Sequence, residues 1–567
     1  MKANSDKSKQ SKKATRRVLA GVLCGASVLS LVLSLVMPPI SQAIANDAQA
    51  APTEETVMGG GSSTESTDVE NTNNGDTENQ NSDDAAGDDE IQQEEQPKDE
   101  SQAEENEAID DGAGSSAEEA VASEETATDI KNAGDLQGKL LGVEENQTAS
   151  FTLAADIDFP GEITLNKGGS NTTLDLSGHK IKHSSADKPL FNVAGGASLT
   201  IRDSAQVGET VSEGQQLADQ GQSLNADNYD KNAANYGKNA ELTYDNDNIP
   251  SNLTYYVTES SPSGTGTTET LVKHDVEIKG AIVACGGNAN LKLINLYNNN
   301  GKGGTFNLVS GVITQKQGGS VSSLVYAENG STVNMRGGYV CGASGSGAGG
   351  GIEIHGNSTL EVSGGVIAGN SAPSGGGVYA KDSTVNITNG VISGNSTLAT
   401  GVGFGGGIMA EGGSVTVSGG YITNNKYANY CGNDGNGDHG GAGLAAKNGT
   451  HVTISGGQIT GNYSEEAGGG VYVTDIEHQG ASSRKTMAWL NITGGTIASN
   501  VSFRSEGAGI RVGQMVDAMI KGTSNSNPVY ITNNHCMSRF DWGGGGIFVQ
   551  GDSKVASNAG RLIVYNS

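Results

Sequence analysis

Residues 375–395 read GGGVYAKDSTVNITNGVISGN, and residues 405–425 read GGGIMAEGGSVTVSGGYITNN. Aligned at their glycines, the two segments match position by position. Further copies flank them: GGGIEIHGNSTLEVSGGVIAGN at 349–370 and GGAGLAAKNGTHVTISGGQITGN at 440–462. Looser copies begin at Gly468, Gly507 and Gly543, and an earlier one, VYAENGSTVNMRGGYV, occupies 325–340. Each copy predicts three short strands: one after the glycines (Val378-Tyr379-Ala380), one in the middle (Val415-Thr416-Val417) and one after a Gly-Gly pair (Tyr421-Ile422-Thr423). Alternation at period two sends one set of side chains inward and the other outward. A three-residue strand is unstable alone, but stacked on its copies it pairs above and below at about 4.8 Å per coil. The fold expected is all-β: a parallel β-helix with three strands per coil, in which Val378, Ile408, Leu444 and Val471 stand in one inward file.

The spacing of the copies supports a solenoid. Gly349 and Gly375 are 26 residues apart and Gly468 and Gly507 are 39 apart, yet the strand unit itself keeps its length. The excess falls at one place, between a recurrent Asn and the next glycines. Stacked coils tolerate insertions at one corner; a closed barrel or sandwich does not. The Asn recurs at Asn370, Asn395, Asn425, Asn462, Asn500 and Asn534. Two readings are open for it: amides stacked in a column, donating and accepting along it, or a residue type that suits a left-handed turn.

Composition divides the rest of the chain. Glycine supplies 86 of 567 residues without a collagen period. The net charge is −30, and residues 51–129 hold 26 acidic residues against one lysine. Nucleic acid is excluded as a partner, because no basic patch outside the first residues can neutralise phosphates. Lys2, Lys7, Lys9, Lys12, Lys13, Arg16 and Arg17 precede an apolar run at 18–40, and small-residue sites follow at Ala43-Ile44-Ala45 and Ala48-Gln49-Ala50. This is the order of a signal peptide over residues 1–50, placing the protein in secretion or at the cell surface. The membrane enters only if that leader stays uncleaved. Residues 51–128 have almost no large apolar side chains and read as a disordered acidic linker.

The coil pattern, GG[GA][IVL] followed by V-x-I-x-[GN]-G-x-I-x-x-N, resembles the right-handed β-helix repeats of the pectin-lyase-like superfamily. It is most similar to autotransporter passengers and polymorphic outer-membrane-type adhesins, with IxxN where those carry FxxN. TTLDLSGHKI (172–181) and LFNVAGGASLTIRDS (190–204) look like opening coils of such surface proteins. The resemblance implies the right hand of the helix and an adhesin-like role.

The expected layout places an N-terminal cap and first coils in 129–204, a polar insertion in 205–275, and the repeat domain in 276–567. Leu136, Leu140 and Leu141 fall at helical spacing and predict a short amphipathic cap helix. The insertion breaks the period and reads as a loop or a poorly ordered lobe. RLIVYNS (561–567) stops within an apolar strand, so the chain is expected to be a fragment, truncated at its C-terminus. It is also expected to be monomeric.

Several functions remain open. A pectinase-type site needs paired carboxylates, but the outward row of first strands reads Tyr326, Glu353, Tyr379, Met409, Ala445, Tyr472, Arg511 and Phe548, with a single acid. The insertions are richer, and together with Tyr472 and Arg511 of the outward row their residues Tyr427, Tyr430, Asp434, Asp438, His439, Glu465, Glu466, Arg504, Glu506, His535, Arg539, Asp541 and Trp542 form a candidate ligand-binding edge. Aromatic faces pack on sugar rings, and loops on a rigid scaffold carry function. The first reading is therefore an adhesin-like surface protein that binds host or environmental glycans or proteins. The alternatives are a polysaccharide lyase or hydrolase and a structural wall component without ligand. No catalytic residue, metal ligand or cofactor site is assigned. Cys285, Cys341, Cys431 and Cys536 lack zinc-type spacing; the first two fall two coils apart, too far to bridge, and a Cys431–Cys536 bridge is not expected.

Overall fold

The computed structural model describes residues 128–217, 235–264, 266–398, 403–429, 439–479, 484, 486–524, 527–538 and 543–565. The leader and almost all of the acidic linker lie outside the described residues. From Thr128 on, the structure is all-β, with parallel ladders that repeat from coil to coil in a β-helix-like stack.

Each coil adds one strand to each of three parallel sheets. In the first sheet Val378 pairs with Ile408, Ile408 with Leu444, Leu444 with Val471 and Val471 with Ile510. These five side chains are completely buried, so the predicted inward file exists. The second sheet registers Val385, Val415, Val452 and Leu490 in the same way, and the third Ile392, Ile422, Ile459 and Ile497. All of them join one continuous apolar core that runs from the first coils to the last. Corners are often too gentle to end a strand: Ile408–Val417 runs from the first sheet into the second, and His451–Thr460 from the second into the third.

The recurrent Asn forms the amide column. Asn395 Nδ2 donates to Asn425 Oδ1 at 3.0 Å, and Asn425 Nδ2 donates to Asn462 Oδ1 at 3.1 Å. The same Nδ2 atoms also donate to third-strand carbonyls, Ile367 O and Ile392 O, at 2.8 and 2.9 Å. The left-handed turn belongs to the preceding residue instead: Gly369, Gly394, Asn424, Gly461, Ser499 and Asn533 all have positive φ, and the column residues do not. Immediately after the column a fourth, two-residue ladder appears, Ser396–Thr397, Lys426–Tyr427, Tyr463–Ser464, Val501–Ser502 and His535–Cys536, beyond the three strands predicted.

The cap is a helix, Ala133–Leu141, capped by Asn132, whose side chain accepts from Asp135 N at 3.0 Å. Leu136 and Leu140 are buried against the first coils, whereas Leu141 is exposed. The polar insertion differs from the loop or poorly ordered lobe expected. Strands Pro250–Ser263 and Gly266–Glu277 pair antiparallel in a long hairpin, with Glu241–Tyr244, Thr210–Val211 and Gln215–Gln216 alongside. Leu253, Tyr255, Val257 and Val276 pack on Val283, Val312, Tyr339 and Val366, the outward residues of the third sheet. That apolar outer face is what the hairpin covers.

Candidate functional site

The three outer faces differ. The third is covered by the hairpin. The second carries short polar side chains in register, Thr305, Thr332, Thr359, Thr384 and Ser414 beside Asn307, Asn334, Glu361, Asn386 and Thr416, on a partly exposed sheet. The first face carries a cleft, walled by Ala348, Pro373, Ser374, Phe404 and His439, which lie between the corner of the Asn column and the next first strand.

On that face Tyr326, Glu353, Tyr379, Met409, Ala445, Tyr472, Arg511 and Phe548 are neighbours in register, as predicted. Tyr379, Met409 and Ala445 form a small apolar patch with Ala348 and Phe404 packed against it. Two residues further along each strand runs a second row, Glu328, His355, Lys381, Glu411 and Lys447. The rows interlock. Tyr379 Oη donates to Glu411 Oε2 at 2.9 Å, and Asn448 Nδ2 donates to Glu411 Oε1 at 2.8 Å. Burial, followed by the Glu411 carboxylate, drives the Tyr379 phenol well above its ordinary pKa, so it stays a donor.

Above this floor opens a cleft of about 590 Å³, within the range of small-ligand sites. Tyr379, Phe404 and Met409 give it an apolar side; Glu411, Lys447 and Glu477 give it a charged rim. Lys447 Nζ lies 3.8 Å from both Glu411 Oε2 and Glu477 Oε1, and 5.4 Å from the Phe404 ring centre. His439 meets Phe404 edge-on, with ring centres 5.4 Å apart. Beside the cleft, the His355 ring lies between Tyr326 and Tyr379, at 5.4 and 5.6 Å. Its Nε2 is 2.8 Å from Glu353 Oε1. Glu353 is only 7 % exposed, and its Oε2 has no hydrogen-bond partner among the described residues.

The predicted edge is not one strip. Tyr430, Asp434, Asp438, Arg539, Asp541 and Trp542 lie outside the described residues. Of the others, Tyr427, Glu466, Tyr472, Glu506 and Arg511 are buried rather than projecting. Arg511 Nη2 pairs with Glu506 Oε1 at 3.1 Å while its guanidinium covers the Tyr472 ring at 4.8 Å. Glu465 accepts from Tyr463 Oη at 2.8 Å and stands 3.8 Å from Arg504 Nε, at the fourth ladder. His535 packs edge-on against Tyr236, 5.9 Å away. Among the described residues of that edge, His439 lines the cleft and the others do not. The edge expectation assumed that every residue after the Asn column points to water; several instead fold back over the first sheet.

Sequence reasoning missed Phe404, Glu411, Lys447, Asn448 and Glu477. One signal was available: the position two after the outward first-strand residue is Glu328, His355, Lys381, Glu411 and Lys447 in five successive coils, a run of titratable residues that a plain strand face does not need.

Cys285, Cys341 and Cys536 are free thiols, and Cys431 lies outside the described residues. Burial raises the Cys341 thiol to about 12, which keeps it protonated. Among the described residues no group of three or more His, Cys, Asp and Glu side chains is placed to hold a metal ion, and no helix is long and apolar enough to cross a membrane. Comparison with protein-family models, with curated proteins and with solved structures finds no match for this chain.

Proposed function

We propose that this chain is a secreted or cell-surface protein, a right-handed parallel β-helix of pectin-lyase-like kind, that binds glycans in an adhesin-like role through the cleft on its first sheet. The leader-like N-terminus supports export. The acidic composition of residues 51–128 is that of a spacer between leader and solenoid, which agrees with surface display. The observation that carries the reading is the cleft's make-up: two aromatic rings, Tyr379 and Phe404, beside fixed polar groups on Glu411, Lys447 and Asn448. Sugars present both an apolar ring face and hydroxyls, and this wall offers a partner to each.

The test is binding of the purified chain to a panel of immobilised polysaccharides, alongside a Tyr379→Ala, Phe404→Ala double variant. Saturable binding that the double variant loses while its circular dichroism and a cooperative melt show it still folded is the expected result. Binding that survives the double variant, or no binding across the panel, overturns the reading.

A second reading, a polysaccharide-degrading enzyme, draws on the buried Glu353 carboxylate against His355. A carboxylate behind an imidazole is an arrangement for moving protons. Release of reducing or unsaturated sugar ends during the same assay favours it over simple binding.

A further inference from the structure

We infer that the cleft selects glycans bearing a free amine, a 2-amino sugar unit with its ammonium directed at Glu411 and Glu477. This rests on the glycan reading and names the ligand class. Four observations carry it. First, the cleft has room for a ligand, about 590 Å³. Second, its charged lining is two carboxylates, Glu411 and Glu477, against one ammonium, Lys447. Third, the protein already places an ammonium there: Lys447 Nζ bridges the two carboxylates at 3.8 Å each, with the Phe404 ring beneath it at 5.4 Å. Carboxylates and an aromatic face together are what an ammonium prefers to water. The same pairing recurs next to the cleft, where Lys292 Nζ sits 3.1 Å from the Tyr326 ring centre and Tyr326 Oη donates to Glu328 Oε2 at 3.0 Å.

Fourth, Glu353 stands nine-tenths buried under the cleft wall. A Cβ on Gly347, a wall residue, would come within 2.8 Å of Glu353 Oε2, the oxygen left without a partner. Glu353 Oε2 therefore places a polar atom at the wall that no donor among the described residues satisfies.

Lys447 is then a competitor as well as a contact. The Lys447–Glu477 bridge is long, and the Glu477 carboxylate is more than half exposed, so a ligand amine can displace Lys447 from it. Removing the lysine opens the ammonium position outright.

The experiment titrates the purified chain with a β-1,4-linked glucosamine oligomer and with its N-acetylated counterpart of equal length, below the pKa of the amine. The free-amine oligomer is expected to bind about tenfold tighter, and added salt to narrow the gap. Glu411→Gln and Glu477→Gln each reduce that ratio, whereas Lys447→Met raises it; melting curves confirm that each variant is folded. Equal binding of the two oligomers, or a Lys447→Met ratio at or below the parent's, overturns the inference. If neither oligomer binds while another polysaccharide does, the amine preference fails and the glycan reading stands. If nothing in the panel binds, the glycan reading itself fails.

Discussion

Asn533 Nδ2 in the late coils donates a hydrogen bond to Glu269 Oε2 on the antiparallel hairpin, 2.8 Å away and 264 residues distant in sequence. Glu269 is 3 % exposed, and it also accepts from Ser499 Oγ at 3.2 Å and Ser260 Oγ at 3.0 Å. Further along the hairpin, Thr258 N donates to Thr423 Oγ1 at 3.0 Å, Ser260 N to Gln458 Oε1 at 2.7 Å, and Ser393 Oγ to Tyr256 O. One inserted hairpin therefore ties together coils that the solenoid alone joins only to their neighbours. Glu269→Ala should deprive Ser260 Oγ, Ser499 Oγ and Asn533 Nδ2 of their carboxylate acceptor, Asn533 keeping Thr267 O, at a cost of about 2–5 kcal/mol. Hydrogen exchange will show it as faster exchange in 250–277 and 496–533 than in 378–417; a uniform change would deny the hairpin its local role.

The amide column should be intolerant. Asn425 Oδ1 accepts from Asn395 N and Nδ2, and its own Nδ2 serves Ile392 O and Asn462 Oδ1. Asn425→Ala strands all of these in a buried corner, so a loss of about 3 kcal/mol or more is expected in denaturant unfolding. Lys131→Ala, at the exposed start of the cap region, should cost under about 0.5 kcal/mol in the same measurement.

Two glycine-to-alanine changes should move stability in opposite directions. A Cβ on Gly407 would meet Gly443 O at 2.7 Å and Asn425 Nδ2 at 2.8 Å, so Gly407→Ala forces backbone and amide column apart. Gly138 lies inside the cap helix with nothing within 4 Å of the added carbon. Gly138→Ala should therefore stabilise by about 0.5–1 kcal/mol through helix propensity. Thermal melts of the two variants will separate on either side of the parent.

The inward file gives a third comparison. Leu444→Ala removes a fully buried side chain between Ile408 and Val471, and about 2–5 kcal/mol should be lost. Leu141→Ala, on the exposed flank of the cap helix, should cost less than about 0.5 kcal/mol.

Acid should loosen the corner held by His535. Burial lowers its pKa below the ordinary 6.5, and the Glu269 carboxylate only partly opposes this. The unfolded chain then binds the proton more readily than the folded one. The contribution to stability is full above the unfolded value of 6.5 and is lost as pH falls through the window between that value and the lower folded one. His535→Gln should flatten this part of the stability–pH curve, and an unchanged slope would show that other groups carry it.

A second, more acidic window belongs to Glu209. Burial works against its charge, but hydrogen bonds from His274, Tyr255 and Tyr339 outweigh it and hold the carboxyl below the ordinary range. The hairpin contact it makes is intact above about 4.5 and weakens as pH falls through the lower folded value.

The sequence by itself determined the coil. Val378, Ile408, Leu444 and Val471 sit at equivalent places in adjacent repeats, and the Asn column follows the same repeat. Strand pairing between consecutive coils therefore follows directly from local period-two patterning. The polar composition of the insertion reads as a loop or a poorly ordered lobe, outweighing the alternation Leu253, Tyr255, Val257, and nothing in that reading places it on Val283, Val312 and Val366. Only the tertiary structure decided that pairing, the folding of Tyr472 and Arg511 beneath neighbouring side chains, and the meeting of Phe404, Glu411, Lys447 and Glu477 around a cleft. The physical reason is separation: Thr258 meets Thr423 across 165 residues, and such contacts depend on matched surfaces between segments whose own patterns are complete without each other.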